Sequence, residues 1–191
     1  MSLSSTSQAY GQNETLISSI RNIIKDFPCQ SILKEFLQNA DDAGASRFHV
    51  IIDGRSHPTN SLLCDEMKSW QGPAILIFNN AMFKTTDFDS LMQIRVGGKQ
   101  DDDTKIGKHG LGFNSCYHFT DVPSLISGDS VAFLDPQEKF LPRNHGKTQR
   151  GIIGPFPKNG IGGYSEKDQL VPYEPFNFSR NTLSNTTSVT T

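Results

Sequence analysis

The chain has 191 residues, with 18 lysines and arginines against 20 aspartates and glutamates and a formal net charge of −2. This length fits one domain with a core of its own, and the scattered, nearly balanced charges argue against a nucleic-acid partner. The three cysteines have no metal-type spacing and indicate reduced thiols. The longest wholly apolar run, Ala74 to Phe78, is far too short to cross a membrane. We therefore predict a soluble, cytoplasmic protein without a nucleic-acid or membrane partner.

The first part of the chain carries two helical patterns. Residues 1–12 are polar and predict a flexible lead. Apolar residues then recur at helical spacing from Glu14 to Phe27, and Pro28 ends the run. A second helical run extends from Ser31 to Ala45, where Gly44 is free to take the positive φ that ends a helix.

The second predicted helix has two stripes. The apolar stripe, expected to face the core, consists of Ile32, Leu33, Phe36, Leu37, Ala40 and Ala43. Beside it lie Glu35, Asn39 and Asp42, spaced by four and then three residues. This places two carboxylates and an amide at the border of the core, where the wall of a pocket would be. An ordinary amphipathic helix with a solvated acidic edge is the alternative interpretation of the same spacing.

The following elements predict a sheet with helices. Residues 47–53 alternate in polarity like a strand, and residues 73–78 are apolar on both faces and therefore form a central strand. The other predicted elements are a short helix around Cys64–Trp70, a helix capped by Thr86, a short helix ending at Phe119, and a hairpin from Leu125 to Leu134. Residues 177–191 are mostly Asn, Ser and Thr. We therefore predict that residues 176–191 form a disordered tail, which cannot offset its ordering entropy by apolar burial.

A glycine-rich motif precedes the short helix that ends at Phe119. Gly107, Gly110 and Gly112 spell Gly-x-x-Gly-x-Gly. Such glycines let the backbone approach a polyphosphate, and a helix N-terminus presents free N–H groups to it; a plain loop is the alternative interpretation. The motif follows a long polar segment and lacks a closing Gly-Lys-Ser/Thr, which disfavours both a dinucleotide-binding fold and a P-loop.

Taken in chain order, these motifs resemble the GHKL ATPase superfamily, which includes gyrase, the ninety-kilodalton heat-shock chaperone, histidine kinases and MutL. Within it the sequence is similar to sacsin-type domains over roughly residues 10–142. The marks of that similarity are Tyr10-Gly11-Gln12, Leu33 to Ala45, Gly72-Pro73-Ala74, Asn79-Asn80-Ala81, Gly107 to Asn114, Thr120 to Pro123 and Ser127-Gly128-Asp129. The resemblance implies an α+β two-layer sandwich over residues 13–175, with helices on one face of a mixed, mostly antiparallel sheet. The last strands of that fold are not recognisable in the sequence.

The resemblance also implies a role for each matching residue. Glu35 would orient or deprotonate an attacking water, Asn39 would hold Mg²⁺, and Asp42 with Ala43 would lie beside the nucleoside of ATP or ADP. The remaining implied nucleotide contacts are Asn79 and Asn80 at the adenine, Gly97 and Gly98 in a lid, and Gly107, Gly110, Leu111, Gly112 and Phe113 around the phosphates.

One segment departs from the superfamily pattern. Asn79 to Phe83 replace the usual Asp-x-Gly-x-Gly. The side-chain carbonyl of an asparagine can still accept a hydrogen bond from adenine, but it lacks the negative charge of a carboxylate. Two functions remain open. One is an ATP-binding module of a sacsin-like chaperone, related to a larger multi-repeat protein with client or co-chaperone partners, and at most a weak ATPase alone. The other is a pseudo-ATPase scaffold for protein interaction. The histidine-kinase branch is disfavoured, because only a polar lead precedes the first helix.

Overall fold

The computed structural model describes residues 16–26, 28–92, 113–156, 165–176 and 186–190. Its helices are α1 (Leu16–Asp26), α2 (Ile32–Asp42), α3 (Thr85–Met92) and α4 (Lys167–Leu170). Its strands are β1 (Phe48–Asp53), β2 (Ala74–Asn79), β3 (Ser124–Ser127), β4 (Ser130–Leu134), β5 (Gly151–Pro155) and β6 (Thr186–Thr190). Short 3₁₀ helices occupy Cys29–Ser31, Asp65–Gln71, Asn114–His118 and Val171–Phe176. The elements predicted as far as Leu134 are all present, with ends shifted by a few residues.

The six strands form one sheet in the order β1-β2-β6-β3-β4-β5. Every pairing among the described strands is antiparallel, so the expectation of a mixed sheet is wrong for this part of the chain. The reason lies at the centre of the sheet. Strands β2 and β3 run in the same direction, but β6 lies between them and pairs antiparallel with both. Strands β2 and β3 therefore do not pair with each other, and both of their contacts with β6 are antiparallel.

Strand β6 falls within the segment predicted to be disordered, and here the structure differs from that expectation. Thr186 pairs with Phe78 of β2 and with Ile126 of β3. Threonine and valine favour strands, and a gap between two strands offers hydrogen-bond partners along both sides. The composition of this segment indicates that it is polar, but it does not indicate the gap between β2 and β3 in which the segment pairs. The strand also supplies an element of the sheet that was not recognisable from sequence.

The sheet separates two cores. The α2-side core is built from Ile32, Phe36, Ile77, Phe113, Cys116, Leu125, Ala132 and Leu134. The opposite core is built from Met67, Val122, Ile126, Val131, Phe133, Leu141, Phe156, Leu170 and Tyr173. Alternate residues of β3 and β4 thus enter different cores, as the two-residue period of a strand requires. The expectation of helices on one face is therefore incomplete, because α4 and two 3₁₀ helices pack on the other face.

Helix α2 packs on the core through a narrow buried stripe, and a glycine ends it. Ile32, Phe36 and Ala40 recur every four residues and are buried, whereas Leu33 and Leu37 are about half exposed and Ala43 is exposed. The apolar stripe predicted from sequence was therefore too wide. At the end of the helix, Gly44 takes φ +74° and donates its N–H to the Asp41 carbonyl, while the Ala45 N–H bonds the Ala40 carbonyl. This pair of bonds is the Schellman motif that glycine favours, and it confirms the predicted stop.

A buried carboxylate ends β1. Asp53 accepts hydrogen bonds from Nε and Nη2 of Arg55, each at 2.8 Å, and lies 3.2 Å from Nε2 of His57. The hydrogen bond from the Arg55 side chain is the main cause that holds the pKa of Asp53 well below its usual range, against the opposing effect of burial. The Asp53 side chain is nearly inaccessible, while that of Arg55 is 63% exposed. Solvent therefore screens part of this interaction.

Replacing Asp53 with asparagine is expected to lower the free energy of unfolding at pH 7 by about 1–2 kcal/mol. A carboxylate whose pKa falls on folding stabilises the protein above its ordinary pKa of about 4, and this contribution is lost as the pH falls below that value. Urea titrations from pH 7 down to pH 3 should therefore show that the difference in the free energy of unfolding between variant and parent decreases. Asp65→Asn is the control, since among the described residues that exposed carboxylate forms an ion pair only with Lys68, at the surface. A difference for Asp53→Asn that does not change with pH would contradict the prediction.

Candidate functional site

The polar stripe of α2 lies at the border of the α2-side core. Glu35 and Asn39 are half-buried, and Asp42 at the end of the helix is exposed. Neither the Glu35 carboxylate nor the Asn39 side-chain amide hydrogen-bonds another residue that the structure describes. Partly desolvated polar groups usually have a partner. This edge of α2 therefore presents a carboxylate and an amide in a position to meet a ligand.

The residue that follows the glycine-rich segment packs directly on this helix. Phe113 is 4% exposed, and its ring meets the Phe36 ring edge-on with centroids 6.2 Å apart. The residue that directly follows the glycine-rich motif is thus packed against α2, which sequence order alone did not show. The predicted contacts Gly97, Gly98, Gly107, Gly110, Leu111 and Gly112 lie outside the described residues, so their roles stay predictions.

The helix after the glycine-rich segment is a packing element. Cys116 and Ser115 are fully buried, and Asn114 nearly so. Burial raises the pKa of the Cys116 thiol and of the Tyr117 phenol well above their ordinary values. Both groups are therefore neutral at physiological pH, and neither supplies charge or a nucleophile to the site.

Asn79 is the last residue of β2, and Asn80 directly follows it. Asn79 follows Ile75 and Ile77 on the side of the sheet that faces α2, and its Oδ1 accepts the Ala81 N–H at 3.0 Å. Asn80 makes more contacts. Its Oδ1 accepts the backbone N–H groups of Ser46 and Arg47 at 2.9 and 2.7 Å, and its Nδ2 donates to Ser46 Oγ at 3.0 Å.

The Asn80 side chain therefore fastens the end of β2 to the segment between α2 and β1. That is a structural task, and sequence reasoning assigned this residue only a ligand contact. Its predicted contact with nucleotide is not tested by this geometry. Asn79, on the face toward α2, keeps its second oxygen lone pair and its amide N–H groups for further bonds.

The loop after β2 is anchored to the hairpin β3–β4. The backbone N–H of Phe83 donates to Ser127 Oγ at 2.8 Å. Met82 and Phe83, beside Gly128 and Ile153, line an open groove of about 750 Å³. No local sequence pattern indicates this groove, because its walls come from loops and strands far apart in the chain. None of the described residues predicted for the nucleotide site lines this groove.

The described helices include none that is both long and apolar enough to cross a bilayer. Within the described ranges, no three His, Cys, Asp or Glu side chains come together as a metal-binding group.

Comparisons with known proteins place the chain in a family. The model of the sacsin domain matches residues 13–183. Sacsin from Homo sapiens is 40% identical to the chain over 134 residues, which are 69% of this chain and 3% of that protein. The chain therefore spans only a small part of the relative it matches. Since the family match covers most of its length, the chain belongs to the sacsin domain family.

Proposed function

We propose that this chain is a GHKL-type nucleotide-binding module that holds Mg-ATP between α2 and the glycine-rich segment 107–112. The observation that carries the proposal is the juxtaposition on α2. Glu35 and Asn39 are half-buried without a described partner, and Phe113, the residue directly after the glycine-rich segment, packs on the same helix. Backbone amides of that segment would contact the phosphates, as glycine-rich loops at helix starts do.

The donor set fits magnesium. Asn39 offers an uncharged oxygen, the hard ligand that Mg²⁺ accepts while it keeps waters and phosphate oxygens in its other positions. When bound, the ion would neutralise phosphate charge next to an acidic helix edge. Glu35, one turn earlier on α2, would orient a water for slow hydrolysis. Asp42 and Asn79 would contact the nucleoside from the helix and from the end of β2.

Replacing Asn39 with alanine is expected to weaken Mg-ATP binding by about tenfold or more, since it removes the proposed metal ligand. Calorimetric titration of the folded chain with ATP and ADP, with and without Mg²⁺, measures this. Gln38→Ala is the matched control, because Gln38 is exposed on the same helix beside Asn39. A folded parent chain that gives no heat at millimolar nucleotide would overturn the proposal, and so would equal losses in the two variants.

A second candidate function is a scaffold of the same fold that does not turn nucleotide over. The specific observation for it is the end of β2, where Asn80 is engaged by Ser46 and Arg47 and Asn79 already accepts the Ala81 N–H. Glu35→Ala separates the two. The substitution should abolish phosphate release from ATP if the chain is a slow ATPase. If the chain is a scaffold, the background rate of phosphate release should stay unchanged. Client or co-chaperone binding within a larger multi-repeat protein belongs to either version.

A further inference from the structure

The open groove beside the β3–β4 turn is lined by none of the described residues that are proposed to contact nucleotide. It lies at the edge of the sheet where β2 and β3 end and β4 begins. Its volume of about 750 Å³ falls in the range of ligand-sized clefts, but it is open along one side to solvent. Such a shape suits a chain segment that lies across the surface better than an enclosed small molecule.

The walls of the groove are held in place by described contacts. Phe83 is fastened to Ser127 Oγ through its N–H, and its ring meets the Phe88 ring edge-on with centroids 5.3 Å apart. On the other side, the Phe156 N–H donates to the Asp129 carbonyl at 2.7 Å. Hydrogen bonds and ring packing therefore hold the walls of the groove in place, and the shape of the groove is preformed for a ligand.

The turn at the base of the groove depends on glycine. Gly128 takes φ +57°, and a Cβ built there would lie 4.0 Å from the sulfur of Met82. The Met82 side chain therefore lies against this turn. A thioether adapts to differently shaped apolar partners, a property that flexible binding surfaces use.

The surface chemistry of the groove is apolar with an acidic rim. Met82 is 61% exposed and Ile153 is 60% exposed, among the highest values for large apolar side chains in the described chain. Asp89 and Asp129 are exposed carboxylates on the rim, and the described residues that line the groove include no lysine, arginine or histidine. Apolar surface next to negative charge complements an apolar side chain flanked by positive charge.

We propose that this groove binds an extended peptide segment of a partner protein, in which a large aliphatic side chain lies next to lysine or arginine. The aliphatic side chain would cover Met82 and Ile153, and the basic side chains would pair with Asp89 and Asp129. The sign of the rim charge disfavours nucleic acid and anionic lipid as occupants. This inference goes beyond nucleotide binding and does not depend on it.

The test uses the 191-residue chain with ¹³C-labelled methionine and isoleucine methyl groups. The probes are two acetylated pentapeptides, Gly-Arg-Leu-Arg-Gly and Gly-Glu-Leu-Glu-Gly. The basic peptide is expected to shift the methyl signals of Met82 and Ile153, and the acidic peptide to shift neither. The methyl signal of Ile52 is an internal control. That side chain is 83% exposed on β1, which lies at the opposite edge of the sheet from the strand β5 that carries Ile153.

Variants test the same groove by affinity. Ile153→Ser and Met82→Ser are each expected to weaken the basic peptide about tenfold, since each removes an exposed apolar contact. Ile52→Ser should leave the affinity unchanged. Unmoved methyl signals at millimolar peptide, equal shifts by the acidic peptide, or equal losses in all three variants would overturn the proposal. Shifts that grow with protein concentration alone would overturn it in favour of a second copy in the groove.

Discussion

Phe36→Ala is expected to lower the free energy of unfolding by about 3–5 kcal/mol. Phe36 is 5% exposed, lies in the middle of the buried stripe of α2, and meets Phe113 edge-on. Truncation removes apolar burial and leaves a cavity between α2 and Phe113. Urea unfolding followed by circular dichroism measures the loss. Because the same contact anchors the proposed nucleotide site, the variant should also bind Mg-ATP more weakly than the parent at temperatures where it is folded.

Leu37→Ala is the control for this prediction. Leu37 is the next residue on the same helix, but it is 51% exposed, so its truncation should cost less than about 1 kcal/mol. If both variants lost the same stability, the buried stripe of α2 would not be the one that the structure shows. If Phe36→Ala lost less than Leu37→Ala, the helix would face the core with its other side.

Asp168→Ala is expected to cost about 2–4 kcal/mol, because it leaves two part-buried backbone donors without an acceptor. Asp168 is 6% exposed, and its Oδ2 accepts the N–H groups of Asn60 at 2.8 Å and of Ser61 at 3.1 Å. In return, Ser61 Oγ accepts the N–H of Asp168. The carboxylate thus fastens the loop before Asp65–Gln71 to α4, across more than a hundred residues of sequence. Thermal and urea unfolding would both report the loss.

Asp168→Asn separates the hydrogen bonds from the charge. Both N–H groups bond to the same oxygen, so an asparagine that places its single amide oxygen there can keep both bonds. We expect it to cost less than half of what Asp168→Ala costs. Equal losses in the two variants would show that the negative charge, rather than the acceptor, stabilises the loop.

The elements that sequence predicted well are those with strong local signals. Consecutive residues of α2 predict both its helical period and its end at Gly44. The consecutive apolar residues of β2 likewise predict that both faces of this strand are buried. The same local pattern placed Glu35 and Asn39 beside the buried stripe. It overestimated the width of that stripe, since the exposure of Leu33 depends on how far the neighbouring elements reach around the helix.

The elements that sequence missed depend on distant partners. Strand β5 reads Gly-Ile-Ile-Gly-Pro, too short and too rich in turn residues to indicate a strand until β4 supplies its pairing. The family resemblance implied a ligand contact for Asn80, and only the fold shows the N–H groups of Ser46 and Arg47 at its oxygen. The peptide groove combines Met82, Gly128 and Ile153, which no local pattern connects.

The position of β6 has a consequence for the order of folding. β2 and β3 are complete by residue 127, yet the strand that joins them is residues 186–190. During synthesis the chain emerges from its amino end, so the two halves of the sheet must wait with unpaired inner edges until that last strand arrives. Such long-range pairing slows folding relative to local contacts. The sheet is therefore joined late, and until then this chain exposes the strand edges that chaperones protect.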